Sequence, residues 1–251
     1  MDYSEDSIRE AADRLRELIN ASENTVFFGG AGVSTESGIP DFRSKNGLYN
    51  NRGVEFDRYP PEYLPSIDCL IREPRVFFEF YRQKMDSRRA KPNAAHIKLA
   101  ELEKDGKLSA VVTQNIDSLH TEAGSRSVFE IHGSTARNYC MRCGKRYPPD
   151  FIFESEDDVP RCSCGGTVRC DVTLYGEQLP DCAVAGAVKA ISEADLLIVG
   201  GTSLTVYPAA SFLHYFRGRH LVLINLEHVD SRGLPVDLEI NLPIGKVFAA
   251  L

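Results

Sequence analysis

Thr25-Val26-Phe27-Phe28-Gly29-Gly30-Ala31-Gly32-Val33-Ser34 is a short apolar run that opens directly into glycines. The run reads as a buried strand, and the glycines as a tight loop whose free amides can approach a diphosphate. A full dinucleotide fingerprint would be G-x-G-x-x-G. Gly30-Ala31-Gly32 supplies its first half, and Val33-Ser34-Thr35 follows with no third glycine in place. The loop is therefore either a phosphate cradle or a plain flexible turn. Downstream, Pro40 interrupts the helical path that a dehydrogenase would take. Asp41, Phe42 and Arg43 then stand side by side. Arg43 suits a phosphate and Phe42 can cover a flat ring, which suggests a dinucleotide site with a flap.

Outward from this loop, the chain alternates. Ile8, Ala11, Leu15, Leu18 and Ile19 recur at helical spacing behind Ser4, a candidate N-cap. A second helix follows Pro92-Asn93 and ends at Gly106, and others are expected over residues 183–191 and 208–216. Short apolar strands are expected over residues 109–113, 172–175, 196–199 and 221–224. Strands of this kind alternating with helices predict an α/β fold, a Rossmann-like doubly wound parallel sheet covered on both faces. Two segments break the alternation: residues 48–88, rich in Tyr, Pro and Phe, and residues 139–171, which hold paired cysteines. They are expected to form a small zinc-ribbon and helical lobe, inserted into a main domain of residues 1–47, 89–138 and 172–251.

The second strand runs into Gln114-Asn115-Ile116-Asp117. Ligands of doubly wound sheets bind beyond the carboxyl ends of strands, where these side chains can meet ribose hydroxyls or a carboxamide. Capping of the next helix is the equally plain alternative. His132, between Ile131 and Gly133-Ser134, is a candidate general base. A lone histidine is more often structural, and the other five read as ordinary. Cys140 and Cys143 form C-x-x-C, and 18 residues separate them from the Cys162-Ser163-Cys164 pair. Four thiolates without histidine predict a closed, structural Zn²⁺ site. Cys170 either replaces a member of the second pair or is a buried free thiol, and the second reading is favoured.

The chain has 251 residues, enough for one large core with a satellite module. Its 29 basic and 36 acidic residues leave a net charge of −7, which argues against direct nucleic-acid binding and against an anionic membrane surface. The N-terminus has no basic, apolar signal pattern, and no apolar run reaches the roughly 18 residues of a membrane span. A cytoplasmic, reducing setting is expected, where seven cysteines serve metal or catalysis better than disulfides.

Taken together, these motifs resemble the sirtuin family. The resemblance rests on Gly30 to Ser34, Gly38-Ile39-Pro40-Asp41-Phe42-Arg43, Thr113 to His120, His132-Gly133, the cysteine ribbon, Tyr175-Gly176-Glu177, Gly201 to Ala209 and Ile224 to Glu227, all in family order. It implies an NAD-dependent protein-lysine deacetylase with NAD and Zn²⁺ as cofactors. Acyl transfer from lysine to ADP-ribose would release nicotinamide, with His132 as base. The resemblance places Ala31, Thr35, Phe42, Arg43, Gln114, Asn115, Ile116, Asp117, Gly201, Thr202, Ser203, Asn225 and Ile244 around NAD. It assigns Cys140, Cys143, Cys162 and Cys164 to the metal. Val172, Leu174, Tyr175, Gly176 and Glu177 would meet an acyl-lysine protein or peptide as an added strand. A monomer is expected. Some relatives carry Tyr-x-x-Arg to bind acidic acyl groups. The matching stretch is read as Tyr81-Arg82-Gln83-Lys84, so Lys84 favours acetyl-lysine. The competing readings are a longer-chain or acidic-acyl deacylase, a mono-ADP-ribosyltransferase, a hydride-transferring NAD oxidoreductase and a zinc-ribbon nucleic-acid module.

Overall fold

Ser4 accepts the Ser7 amide on its hydroxyl at 3.2 Å and so starts helix α1 (Glu5–Ala21). In this computed structural model the described residues are 3–42, 44, 47–50, 53–231 and 233–251. Strand β1 (Thr25–Gly29) is buried along its whole length. Helices α2 (Ile67–Arg72) and α3 (Pro74–Lys84) lie in the first insertion. Helix α4 (Ala94–Lys104) is capped by the Asn93 side chain, which accepts the Ala95 amide at 2.9 Å. Strand β2 (Ala110–Thr113), helix α5 (Leu119–Glu122) and strand β3 (Val128–Glu130) follow. The second insertion holds β4 (Gly133–Cys140), β5 (Arg146–Tyr147), α6 (Asp150–Phe153) and β6 (Val168–Val172). The chain closes with α7 (Asp181–Glu193), β7 (Leu196–Gly200), β8 (His220–Ile224), β9 (Leu238–Ile240) and α8 (Ile244–Ala249).

Six parallel strands form the main sheet in the order β3-β2-β1-β7-β8-β9. Alternate side chains point to opposite faces, as pleating requires. Phe27, Val111, Ile198 and Val222 join the core under α1, α4 and α8. Val26, Phe28, Val112, Leu197 and Leu223 join the core under α7 and residues 209–215. This two-sided burial explains why the strands read as continuous apolar runs. From β1 the chain winds outward through β2 and β3. It then returns to the other side of β1 and winds through β7, β8 and β9. The crevice at the β1/β7 boundary is therefore the topological switch point.

A third core contains Cys69, Leu70, Phe77, Phe78 and Tyr81 from the first insertion. It also contains Cys140, Ile152, Cys162, Val168 and Cys170 from the second, and Leu174. The two insertions thus share one apolar interior, beside a small antiparallel sheet ordered β5-β4-β6.

Two expected elements differ. The strand expected at residues 172–175 lies earlier, as β6, and pairs with β4. Arg169 masked it in the sequence. A buried guanidinium is tolerated there because Glu177 neutralises it at 2.5 and 2.8 Å. Beyond Val172 the chain bends, with Gly176 at φ 90° and the Leu174 amide donating to Glu177. The helix expected over 208–216 winds as a 3₁₀ segment, Ala209–Tyr215. Phe216 is extended and ends the segment after seven residues.

His96 and His120, read as ordinary, are fully enclosed beside Phe27 with their rings 4.6 Å apart. Burial pushes His96 down to about 4 and His120 to about 3 from the usual 6.5. Unfolding restores the higher value, so the unfolded chain binds more protons, and stability falls as pH drops from 6.5 towards 4. For His96 the full effect is of order 3 kcal/mol. Neither ring nitrogen of His120 has a hydrogen-bond partner among the described residues. His120→Phe is therefore expected to match the parent at pH 7 and to lose less stability in acid. Urea unfolding at pH 7 and at pH 4.5 checks this, and equal acid losses would contradict it.

Candidate active site at the sheet switch point

Four strand ends converge on the crevice. Gly30 follows β1, Gln114 follows β2, Gly201 follows β7 and Asn225 follows β8. Two of the loops meet backbone to backbone: the Gly32 amide donates to the Gly201 carbonyl at 2.8 Å. A Cβ on Gly32 would sit 2.8 Å from the Gly201 Cα, and Gly201 itself has φ 60°. Here glycine is required by the close approach of two chains. The glycine-rich turn is docked against the loop after β7.

Ser34 is the hub of the polar cluster. Its hydroxyl donates to Asp117 Oδ2 at 2.6 Å and accepts from Asn115 Nδ2 at 2.9 Å. Asp117 Oδ1 accepts the Leu119 amide at 2.9 Å, so the carboxylate also ties down the start of α5, whose N-cap residue is Ser118. Burial pushes the Asp117 carboxyl above its usual value, with the Ser34 bond opposing. Gln114 donates to the Thr202 hydroxyl at 3.0 Å, and Asn225 Oδ1 accepts the Thr202 amide at 2.9 Å. Asn225 Nδ2 is buried without a partner among the described residues. A buried donor left open in a cleft fits an acceptor-rich ligand such as a nucleotide.

His132 stands at the β3–β4 junction, where Gly133 (φ 74°) turns the chain. Its Nδ1 lies 2.8 Å from the Gln114 carbonyl oxygen. A carbonyl only accepts, so Nδ1 carries the proton and Nε2 is the lone-pair nitrogen. Burial lowers this imidazole below its usual value, and the Gln114 bond partly offsets that. The neutral ring with a basic Nε2 is the form a general base needs.

The remaining expected residues divide. Ala31 is half-buried on the glycine loop, and Ile116 follows Asn115, its carbonyl accepting the Thr135 amide at 2.8 Å. Ser203 is exposed and 2.7 Å from the Thr205 hydroxyl. Thr35 turns back on the Gly32 carbonyl at 2.9 Å. Phe42 packs on Leu48, Phe56, Leu64 and Phe80. Arg43 lies outside the described residues. The Ile244 side chain is buried in the core and faces Gly200, which leaves only its backbone for a ligand. Val172 ends β6, and Leu174 is buried in the small lobe. The Glu177 carboxylate is committed to Arg169 and the Leu174 amide, so it shapes the turn. Tyr175 is exposed and bridges to Ser66, with its carbonyl accepting the Ile67 amide at 3.0 Å. Tyr81 stacks between Phe77 and Phe153 in the small-lobe core, and Arg82 donates to the Ile152 carbonyl. Tyr81 is therefore enclosed in the small-lobe core. Ser34, His96 and Arg169 were not anticipated in these contacts, since none belongs to a pattern that names its partner.

The cysteine reading is met. Cys140, Cys143, Cys162 and Cys164 place their sulfurs within 4.8 Å of one another, and Cys170 lies elsewhere, buried in the small-lobe core. Zn–S bonds near 2.3 Å require tetrahedral S···S separations of about 3.8 Å. The Cys140–Cys164 and Cys143–Cys162 separations are 3.5 and 3.6 Å. Gly166 is needed beside them, since a Cβ there would stand 2.7 Å from the Cys140 sulfur. These four cysteines are positioned to bind a zinc ion.

Such a chain is a Rossmann-like α/β protein with an inserted four-thiolate lobe and a polar crevice at its switch point. Residues 30–208 match the Sir2 family. The chain belongs to that family. It is 53% identical over 236 residues to an NAD-dependent protein deacetylase of Clostridium acetobutylicum, covering 94% of this chain and 95% of that one. A protein of the same description from Sulfurisphaera tokodaii is 43% identical over 86% of this chain and 84% of its own. Among solved structures, Sir2 with a p53 peptide and NAD⁺ superposes with a TM-score of 0.81 at 38% identity, covering 94% of both chains. A Sir2 variant with deacetylated p53 peptide and 3'-O-acetyl ADP ribose gives 0.86 at 37% identity, covering 95% of this chain and 96% of that one.

Proposed function

We propose that this chain is an NAD-dependent protein-lysine deacetylase that transfers the acetyl group to ADP-ribose and releases nicotinamide. The observation that carries the reading is the Nδ1 bond of His132 to the Gln114 carbonyl, which leaves Nε2 as the basic nitrogen, on a residue anchored to the segment that continues into Asn115 and Asp117. NAD supplies the glycosidic bond that is cleaved and the ribose that accepts the acyl group. Gln114, Thr202 and Asn225 fix the crevice floor, and Asn225 Nδ2 is a donor for the nucleotide half. Ala31, Thr35, Phe42, Ile116, Gly201, Ser203 and the Ile244 backbone complete that surface. Ser34, Asn115 and Asp117 orient the carboxamide and ribose. His132 takes a proton from a ribose hydroxyl. The edge from Val172 to Tyr175, held by Gly176 and the Arg169–Glu177 pair, meets the acetylated peptide as a strand. The lobe of residues 48–88 and 139–171 carries the zinc and walls the peptide side, and residues 1–47, 89–138 and 172–251 carry NAD.

Among the described residues, no helix is long and apolar enough to cross a membrane. Seven unpaired thiols suit the reducing cytoplasm, and we assign the protein there as a monomer without nucleic-acid partners.

The test is incubation of acetyl-, succinyl- and longer acyl-lysine peptides with NAD, followed by mass spectrometry. Nicotinamide and O-acetyl-ADP-ribose are expected, with the acetyl peptide preferred. Intact NAD with every peptide would end the reading, and faster succinyl turnover would correct the substrate. The same assay gives a pH dependence. Protonated His132 cannot accept a proton, and its burial lowers the pH at which protonation occurs. Activity is thus expected to persist below the usual imidazole value of 6.5 before falling. An acid limb at or above that value would contradict the assignment.

A further inference from the structure

Three hydrogen-bonding side chains at the site are explained by its own chemistry, and a fourth is not. His96 lies on α4, fully buried, one helical turn inside the Asn93 cap. The Asn93 backbone amide donates to His96 Nδ1 at 3.3 Å. Nδ1 is therefore the lone-pair nitrogen, and Nε2 carries the proton. This is the reverse of the His132 tautomer. Nε2 lies 3.5 Å from the Ser34 hydroxyl oxygen.

The sense of the whole chain follows from donor counting. Ser34 Oγ accepts from Asn115 Nδ2 and faces the His96 Nε2 proton, which uses both of its lone pairs. Its single proton is left for Asp117 Oδ2, at 2.6 Å. Without the His96 donor, one lone pair of Ser34 is open and the hydroxyl is free to turn. Asp117 then loses its fixed donor. The buried His120 ring packs against His96, with ring centroids 4.6 Å apart.

We propose that His96 is a positioning residue of the active site: through Nε2 it fixes the Ser34 hydroxyl on Asp117 and so holds Asn115 and Asp117 in the geometry that binds NAD. The proposal rests on the deacetylase reading for the role of Asn115 and Asp117. Burial keeps the ring neutral, so one donor and one acceptor persist at working pH.

Two isosteric substitutions separate this role from helix capping. The amide of asparagine reaches roughly where Nδ1 stands, so His96→Asn keeps the acceptor for the Asn93 amide and loses the donor to Ser34. Glutamine reaches roughly where Nε2 stands, so His96→Gln keeps the donor and loses the cap. NAD affinity is measured by titration calorimetry, alongside nicotinamide release and thermal unfolding. His96→Asn is expected to weaken NAD binding by about three- to tenfold, the loss of one neutral hydrogen bond, with a parent-like melting temperature. His96→Gln is expected to bind NAD within about twofold of the parent while melting earlier. The opposite order, or unchanged affinity in His96→Asn, overturns the proposal. If neither variant folds, ¹⁵N NMR of the parent decides: a proton on Nε2 of His96 supports it, and a proton on Nδ1 overturns it. A parent that binds NAD but releases no nicotinamide from acetyl peptides would instead fault the deacetylase reading.

Discussion

Replacing His132 with alanine is expected to slow peptide deacetylation by about 10²- to 10⁴-fold, the usual worth of a positioned general base. The imidazole follows β3 with an accepting Nε2 left by its own bonding, since Nδ1 is spent on the Gln114 carbonyl. Alanine removes that acceptor and adds nothing in its place. The fold should tolerate the change. His132 is only half-buried, and the backbone bonds around it, such as the Thr173 amide to the His132 carbonyl at 2.9 Å, do not use the side chain. One hydrogen bond to Gln114 is lost, a cost of about 1 kcal/mol. NAD affinity should therefore stay near the parent's while turnover collapses. Deacetylation at the parent rate would remove His132 from the mechanism. A collapse of NAD binding and thermal stability together would show that the ring supports the crevice and not the proton transfer.

The second large effect concerns Cys143→Ser. The parent should carry one zinc per chain, and the variant none. A hydroxyl is a poor substitute for a thiolate at a closed four-sulfur site, and binding free energy at such sites is of order 10–16 kcal/mol that the fold depends on. The loss should spread beyond the knuckles. Cys140 and Cys162 belong to the same apolar interior as Phe77, Phe78 and Tyr81, and β6 links that interior to the turn at residues 172–177. Zinc analysis and near-ultraviolet circular dichroism, with the deacetylation assay, test this. A variant that retains one zinc with full activity would move the metal elsewhere. A variant without zinc but with parent activity would leave the lobe without a role in catalysis.

The main sheet was legible because its strands are buried on both faces, so Phe27-Phe28 and Leu196 to Val199 stand out as apolar runs. The cysteine site was legible because spacing alone brings four sulfurs together. The strand β6 was hidden by Arg169, whose charge is cancelled by Glu177, eight residues later. No local pattern announces such a pair. His96 and His120 were hidden for a related reason. Imidazole is compatible with surface or interior, and only the packing of α4 and α5 against β1 decides it. Ser34 was quoted in the glycine loop but not assigned, because its three partners come from α4 and the segment after β2, distant in sequence.

The contact between Gly32 and Gly201 also limits how this protein can be redesigned. A methyl group on Gly201 would stand 2.3 Å from the Val33 nitrogen, and one on Gly30 would stand 2.7 Å from the Thr202 Cβ. The bottom of the cleft behaves as a weld seam without slack for a single extra carbon. An engineer seeking a bulkier or altered cosubstrate has to work from positions such as Ser203 and Thr35, whose side chains are exposed.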